Sequence, residues 1–160
     1  MILRTALFVC FFLVANARAA DTDLLHRALG CQLGDNELAL LITALAKERS
    51  DFKQPVQQYG APSADVYELN SPLSIYGYTS SQVVVTPARI LLAVPGKTVG
   101  EAVKSLKLEE TKFSPASRAV RPTVSTIAMK LSHASVADKL LVGCEYASSD
   151  AAQWLSGGKN

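Results

Sequence analysis

The chain has 160 residues, 19% of them charged, and its formal net charge is +2. A nearly neutral chain has no global field that would draw it to nucleic acid or to an anionic membrane. The length suits one domain with a substantial core, so a second domain is not expected.

The first twenty residues have the pattern of an export signal. Arg4 and the amino terminus supply positive charge, residues 6–15 form an apolar run, and residues 17–19 read Ala-Arg-Ala, a small-x-small cleavage site. The apolar run is too short to cross a bilayer as a helix, which needs roughly twenty residues. We predict a signal peptide over 1–19, or 1–20, that is cleaved to leave a periplasmic or secreted protein.

Removal of this segment changes the charge and the cysteine content. Arg4 and Arg18 leave and no acidic residue does, so the formal charge of the mature chain falls to zero. Cys10 leaves as well. In an oxidising compartment, the two cysteines that remain have one intramolecular pairing, which predicts a Cys31–Cys144 disulfide. No later apolar run is long enough for an integral membrane segment.

The mature chain begins with helical patterns. The apolar residues of 24–29 predict a short helix that Gly30 ends in the left-handed conformation. Residues 34–35 open a second helix, in which Leu, Leu, Ile and Leu recur at helical spacing over 38–45. Residues 51–65 are rich in Gln, Pro, Gly and Ser, which predicts a long loop.

Strand patterns dominate the rest of the chain. Four short strands are predicted at 66–69, 73–78, 82–86 and 89–94, with turns at 70–72, 79–81 and 87–88. Two longer strands are predicted at 124–131 and 139–147, and the second should turn Leu140, Val142, Cys144 and Tyr146 inward.

One further helix separates these two groups of strands. Thr98 followed by Glu101 is a capping box that predicts a helix. Its inner face should carry Val99, Ala102, Val103 and Leu106. The polar residues 109–121 are predicted to be an irregular connector.

Together these elements predict a single α+β domain over 20–156. N-terminal helices precede an antiparallel sheet of about five to six strands, which is covered on one face and carries one disulfide. A last helical turn should dock Trp154 and Leu155, and residues 157–160 should form a disordered tail.

The sequence contains no catalytic motif. His26 and His133 have no second ligand at zinc spacing, and Gly-x-Ser-x-Gly is absent. A phosphate loop ending in Lys97-Thr98 would need a glycine where Leu91 stands. No metal, cofactor or catalytic residue is therefore predicted.

Two surfaces are candidates for binding. Tyrosines beside small polar residues are typical of protein-binding surfaces, because tyrosine combines contact area with a hydroxyl group. The predicted partner-binding residues are Tyr76, Tyr78, Ser80, Ser81 and Gln82. The candidate residues for an anionic envelope ligand are Lys112, Arg118 and Arg121.

Elimination leads to three functional hypotheses. The first is an exported, non-enzymatic envelope protein that binds another exported protein, such as an inhibitor or immunity factor. The second is an accessory or assembly component of an envelope machine, in which a strand edge near 89–94 accepts a partner strand. The third is a hydrolase acting on an envelope polymer, for which Glu109 and Glu110 are the adjacent carboxylates.

Overall fold

The computed structural model describes residues 23–34, 37–38, 40–41, 57–58 and 64–147. The predicted signal peptide, the last turn of the second predicted helix, the docking of Trp154 and the predicted tail lie outside the described residues. No helix in the described ranges has the length and apolarity needed to cross a membrane.

Two helical segments open the described fold. Residues 23–29 form α1, and residues 37, 38, 40 and 41 are helical and belong to α2. α1 ends where predicted, but the left-handed residue is Cys31, with a φ of 62°, and not Gly30. The amide of Gly30 instead donates to the carbonyl of His26 at 3.0 Å, as one more helical hydrogen bond.

Helix α3, Val99–Leu106, has the predicted N-terminus. The Glu101 amide donates to the Thr98 hydroxyl at 3.2 Å, and the Thr98 amide donates to the Glu101 carboxylate at 2.8 Å. This hydrogen bond from the Thr98 backbone holds the pKa of Glu101 below its usual value. Ala102 is fully buried, which places the predicted inner face against the sheet.

In the described part of the chain, the strands form one antiparallel sheet of eight strands in the order β1-β2-β3-β4-β8-β7-β6-β5. The strands are β1 Gln57–Gln58, β2 Asp65–Ile75, β3 Tyr78–Thr86, β4 Arg89–Pro95, β5 Glu109–Thr111, β6 Ser114–Arg121, β7 Val124–Met129 and β8 Lys139–Tyr146. The predicted α+β class, antiparallel sheet and single disulfide are confirmed. The predicted number of strands is too low.

The hairpin that joins β2 to β3 turns at a different place from the one predicted. The predicted turn at 70–72 is an irregularity within β2, between Glu68 and Leu73, and the predicted turn at 79–81 lies inside β3. The chain reverses at Tyr76 and Gly77, whose φ angles are 55° and 81°. Positive φ at both central residues is what a two-residue hairpin of type I′ requires, and glycine satisfies it without strain.

Residues 109–121 form a hairpin and not an irregular connector. β5 pairs with β6 through Glu109 with Ser117 and Thr111 with Ser114. All three β5 residues are exposed, and most of β6 is exposed as well. A strand that is polar on both sides has no alternation of apolar residues, so its sequence does not resemble a strand.

Both faces of the central strands are buried, whereas the sequence predicted a sheet covered on one face. Ile90 and Leu92 belong to a cluster that includes residues of all three helices, and the side of the sheet they occupy is called the helix-side face below. Leu91 and Ala93 belong to a second cluster, together with Val136 from the loop before β8. The predicted inward residues of β8 all lie in the helix-side cluster.

Strand β4 has consequences for one functional hypothesis. It pairs with β3 on one side from Arg89 to Leu92, and with β8 on the other side from Arg89 to Pro95. The predicted strand edge near 89–94 is therefore wrong, because that strand lies in the middle of the sheet. The outermost strands of the described sheet are β1 and β5.

Candidate functional site

The predicted disulfide between Cys31 and Cys144 is present, with a distance of 5.2 Å between the two Cα atoms. Cys31 adopts the left-handed conformation in the turn that follows α1. Both cysteines are almost completely buried, and the sulfur of Cys31 lies 3.4 Å from the carbonyl oxygen of Ser125. The bond joins α1 to the central sheet and offers no exposed sulfur for chemistry.

The predicted tyrosine surface is largely internal. Tyr78 is only 8% exposed, and its hydroxyl lies 3.1 Å from the hydroxyl of Ser105 on α3. Tyr76 is half-buried in the hairpin turn, and its hydroxyl lies 3.4 Å from that of Thr126. Both rings pack in the helix-side cluster, which leaves little tyrosine surface for a partner.

The polar residues that follow these tyrosines make bonds across the strands. Ser80 donates to the Ala93 carbonyl at 2.6 Å and accepts from the Gln82 amide at 3.1 Å. The Gln82 side chain donates to Glu68 and accepts from Lys139, each at 2.5 Å. Ser81, which lies between Ser80 and Gln82 in sequence, is half-buried. The structure therefore brings the polar residues together as a cross-strand network.

The three predicted cationic residues all belong to the β5–β6 hairpin. Arg118 pairs with Thr126 and Arg121 pairs with Val124, so both arginines lie on the helix-side face of β6. Arg121 donates to the carbonyl of Leu33 and so contacts the loop after α1. Arg118 is exposed and makes no ion pair within the described part of the chain.

Lys112 lies in the turn of the hairpin, at the end opposite to Arg121, and its neighbour Phe113 is not among the predicted binding residues. Phe113 occupies the turn between β5 and β6 with 91% of its surface exposed. The Lys112 ammonium is 5.3 Å from the centroid of the Phe113 ring, within the range of a cation–π contact. The available signal was a lone aromatic residue in the middle of a polar segment.

An open groove of about 600 Å³ lies beside this turn. Val99, Pro115, Ala128 and Met129 supply apolar walls, and Lys112 and Lys130 contribute positive charge. Arg89 also borders the groove, but its guanidinium is paired with Glu145 at 2.5 Å. The arrangement is a depression of mixed polar and apolar lining, which includes Glu110 as well as the two lysines and has the exposed aromatic ring at its end.

Asp65 and Tyr67 form a carboxyl–phenol pair on β2, which lies near the edge of the sheet opposite to the β5–β6 hairpin. Burial raises the pKa of Asp65, whose carboxylate accepts a hydrogen bond from the Tyr67 hydroxyl. Burial, together with the negative charge of Asp65, raises the pKa of Tyr67 to about 12. The two residues are separated by one position in β2, so they form a local pair on one strand.

Metal ligands do not gather anywhere in the described ranges, which contain no group of three or more His, Cys, Asp or Glu residues placed to hold an ion. A scan against protein-family models, a search of curated proteins and a search of solved structures each found no match.

Proposed function

We propose that the protein is an exported, non-enzymatic envelope protein that binds another exported protein, in the manner of an inhibitor or immunity factor. The binding surface consists of Phe113, its hairpin turn and the adjacent groove. The observation that carries this proposal is the exposure of Phe113. A phenylalanine that is 91% exposed does little for the stability of its own fold.

The character of the surface supports a protein as the ligand. Aromatic residues at the centre of an interface frequently supply much of the binding energy when they enter an apolar pocket of the partner. Phe113 stands at the tip of a hairpin, where no neighbouring strand obstructs it. Lys112 and Lys130 lie at the border of the groove, where charge governs specificity and the rate of association.

Two further observations support an exported location. The N-terminal residues have the pattern of a cleaved signal, and the mature chain contains one buried disulfide. Disulfides persist in the periplasm and in secreted proteins, whereas cytosolic thiols are kept reduced. The partner should accordingly be a protein of the same compartment.

The test begins with affinity capture by the mature, oxidised protein from an envelope extract of its source. The captured partner is then purified, and its Kd is measured by calorimetry for the wild type and for Phe113→Ala. Loss of an interfacial aromatic anchor should raise the Kd about thirtyfold, which corresponds to about 2 kcal/mol.

The matched control is Leu40→Ala, which removes another exposed apolar side chain, one that is 63% exposed on α2. Its Kd should equal that of the wild type, which would show that the effect is specific to the hairpin. An unchanged Kd for a correctly folded Phe113→Ala protein would contradict the proposed surface.

A further inference from the structure

Strand β6 is covered over only half of its outer side. On its inner side it pairs with β7 as far as Arg121, but on its outer side its pairing with β5 stops at Ser117. No strand of the described chain pairs with the outer edge of residues 118–121. An uncovered edge presents backbone N–H and C=O groups that can bind another strand.

The path of the chain before β5 explains why β5 leaves this half of β6 unpaired. Lys107 ends α3 in the left-handed conformation, with a φ of 53°, and Leu108 is buried. The chain therefore approaches from the core and joins the sheet only at Glu109, opposite Ser117. The space beside 118–121 is in line with β5, where an added strand would continue the sheet.

The side chains of residues 118–121 favour a partner strand with negative charge. Residues 118–121 are all exposed, and Val120 is 51% exposed. Two of the four are arginines. Pairing with a second copy in the antiparallel register that uses all four residues would place Arg118 opposite Arg121, and like charges in that position are destabilising. An acidic strand from a different protein would instead meet Arg118 with a favourable charge.

We propose that the partner contributes an extended acidic segment, which adds as a strand to the β6 edge at residues 118–121. This inference rests on the proposed function, because it names the second part of the same binding surface. Phe113 lies just before one end of β6, and the free edge lies at the other end, roughly 20 Å away for a strand of this length. A partner that contacts both Phe113 and residues 118–121 binds along the whole length of β6.

The probe is a short synthetic peptide of alternating Glu and Val, tested against the mature, oxidised protein. Amide hydrogen exchange, followed by NMR, reports on the backbone of residues 118–121. Saturating peptide should slow exchange of the outward-facing amides of this segment at least tenfold. The same peptide with every backbone amide N-methylated keeps its charge but has no backbone N–H donors, so its affinity should be at least tenfold weaker.

Charge is tested separately in the protein. Arg118→Glu should weaken binding of the Glu/Val peptide at least tenfold, whereas Arg118→Lys should largely retain it. The matched control is Lys104→Glu, which makes the same charge reversal at an exposed position on α3 and should leave binding unchanged. Thermal unfolding of each variant establishes that it is folded.

Several results would overturn strand addition. Slow exchange at 118–121 without peptide would mean that the chain itself covers the edge, and equal affinity for both Glu/Val peptides would mean a purely electrostatic contact. A concentration-dependent dimer protected at 118–121 would identify a second copy as the occupant. If Phe113→Ala still weakens partner binding while the partner leaves exchange at 118–121 unchanged, strand addition fails and the proposed function stands.

Discussion

The central pair of strands, β4 and β8, and the outer hairpin, β5–β6, use the same antiparallel pairing for different purposes. In the central pair, every residue from Ile90 to Val94 is buried, as are Leu140 to Cys144. In the outer hairpin, only Ala116 is buried. Backbone hydrogen bonds form in both, so the difference lies in what the side chains contact. The centre stabilises the fold, and the hairpin leaves its side chains available to a partner.

The largest expected effect comes from removing the disulfide that anchors α1 to the centre. Cys31 and Cys144 are 113 positions apart, so the bond restricts a long loop in the unfolded chain. The double variant Cys31→Ala/Cys144→Ala should lose about 4 kcal/mol of unfolding free energy, as measured by urea denaturation. Reduced wild-type protein is the control and should show a similar loss. A loss below about 1 kcal/mol would mean that the centre does not depend on this bond.

The next effect tests how closely the central strands pack. A β-carbon at position 143 would overlap the carbonyl oxygen of Ile90 and lie 3.0 Å from the Cα of Leu91. Both atoms belong to the backbone, so neither can move without distorting β4. Gly143→Ala should therefore cost about 3 kcal/mol of unfolding free energy.

The control for that substitution is Gly100→Ala on α3, where a β-carbon would meet nothing within 4 Å. It should stabilise the protein by about 0.5–1 kcal/mol, because alanine favours the helix more than glycine does. Equal effects of the two substitutions, measured by urea denaturation, would contradict the difference in packing between these sites.

A smaller loss should follow from removing one buried hydroxyl group. Tyr146, on β8, donates to the carbonyl of Ala28 on α1 at 2.7 Å. Tyr146→Phe removes one of the two donors to this carbonyl, which also accepts from the Cys31 amide at 3.2 Å, and should cost about 1 kcal/mol. Tyr76→Phe is the comparison, because its hydroxyl contact is longer, at 3.4 Å, and only partly buried. A larger loss of unfolding free energy for Tyr76→Phe than for Tyr146→Phe, measured by urea denaturation, would contradict this interpretation.

The pH dependence should also report on the core. Burial raises the pKa of Tyr146, and it raises that of Tyr67 to about 12, above the ordinary value of 10. As the pH rises, the unfolded chain therefore loses these phenol protons at a lower pH than the folded chain does. The contribution of the two groups to the unfolding free energy is fully present below pH 10 and is lost as the pH rises towards 12. In denaturation measured across this range, Tyr67→Phe should make the fall shallower. An identical slope for the variant and the wild type would contradict a raised pKa for Tyr67.

The smallest effect on stability is expected at the hairpin. Phe113→Ala should change the unfolding free energy by less than about 0.5 kcal/mol, because its ring is exposed and contacts mainly Lys112. The same variant is expected to lose partner affinity. A large loss of stability in urea denaturation would show that Phe113 packs within its own fold and would remove the contrast with the centre.

Prediction from sequence succeeded where burial left a periodic pattern. The capping box of Thr98 and Glu101, the inward face of β8 and the Cys31–Cys144 pairing all follow from local spacing or from the number of cysteines. Prediction failed at the β2–β3 turn, where Tyr76 adopts a positive φ that its residue type does not favour. It also failed at 109–121, where exposure on both sides removes the apolar alternation.

The candidate site includes cationic residues that the sequence analysis names for binding, and their binding role stays a prediction. Lys112, Arg118 and Arg121 were identified as cations of one segment, and the structure shows that this segment is a hairpin. Phe113 was not selected, because a single aromatic residue in a polar segment looks the same in sequence whether it is buried or exposed. Tyr78 was selected for its residue type, and the core that covers it comes from strands and helices distant in sequence.

The amino-acid sequence by itself determined the helices, the α+β class and the pairing of the two cysteines, because these depend on local patterns and on residue counts. The tertiary structure alone decided which strands are central, which tyrosines are buried and which edge of the sheet remains open. Those properties depend on contacts between distant segments, such as β4 with β8, and no local pattern in either segment specifies its neighbour.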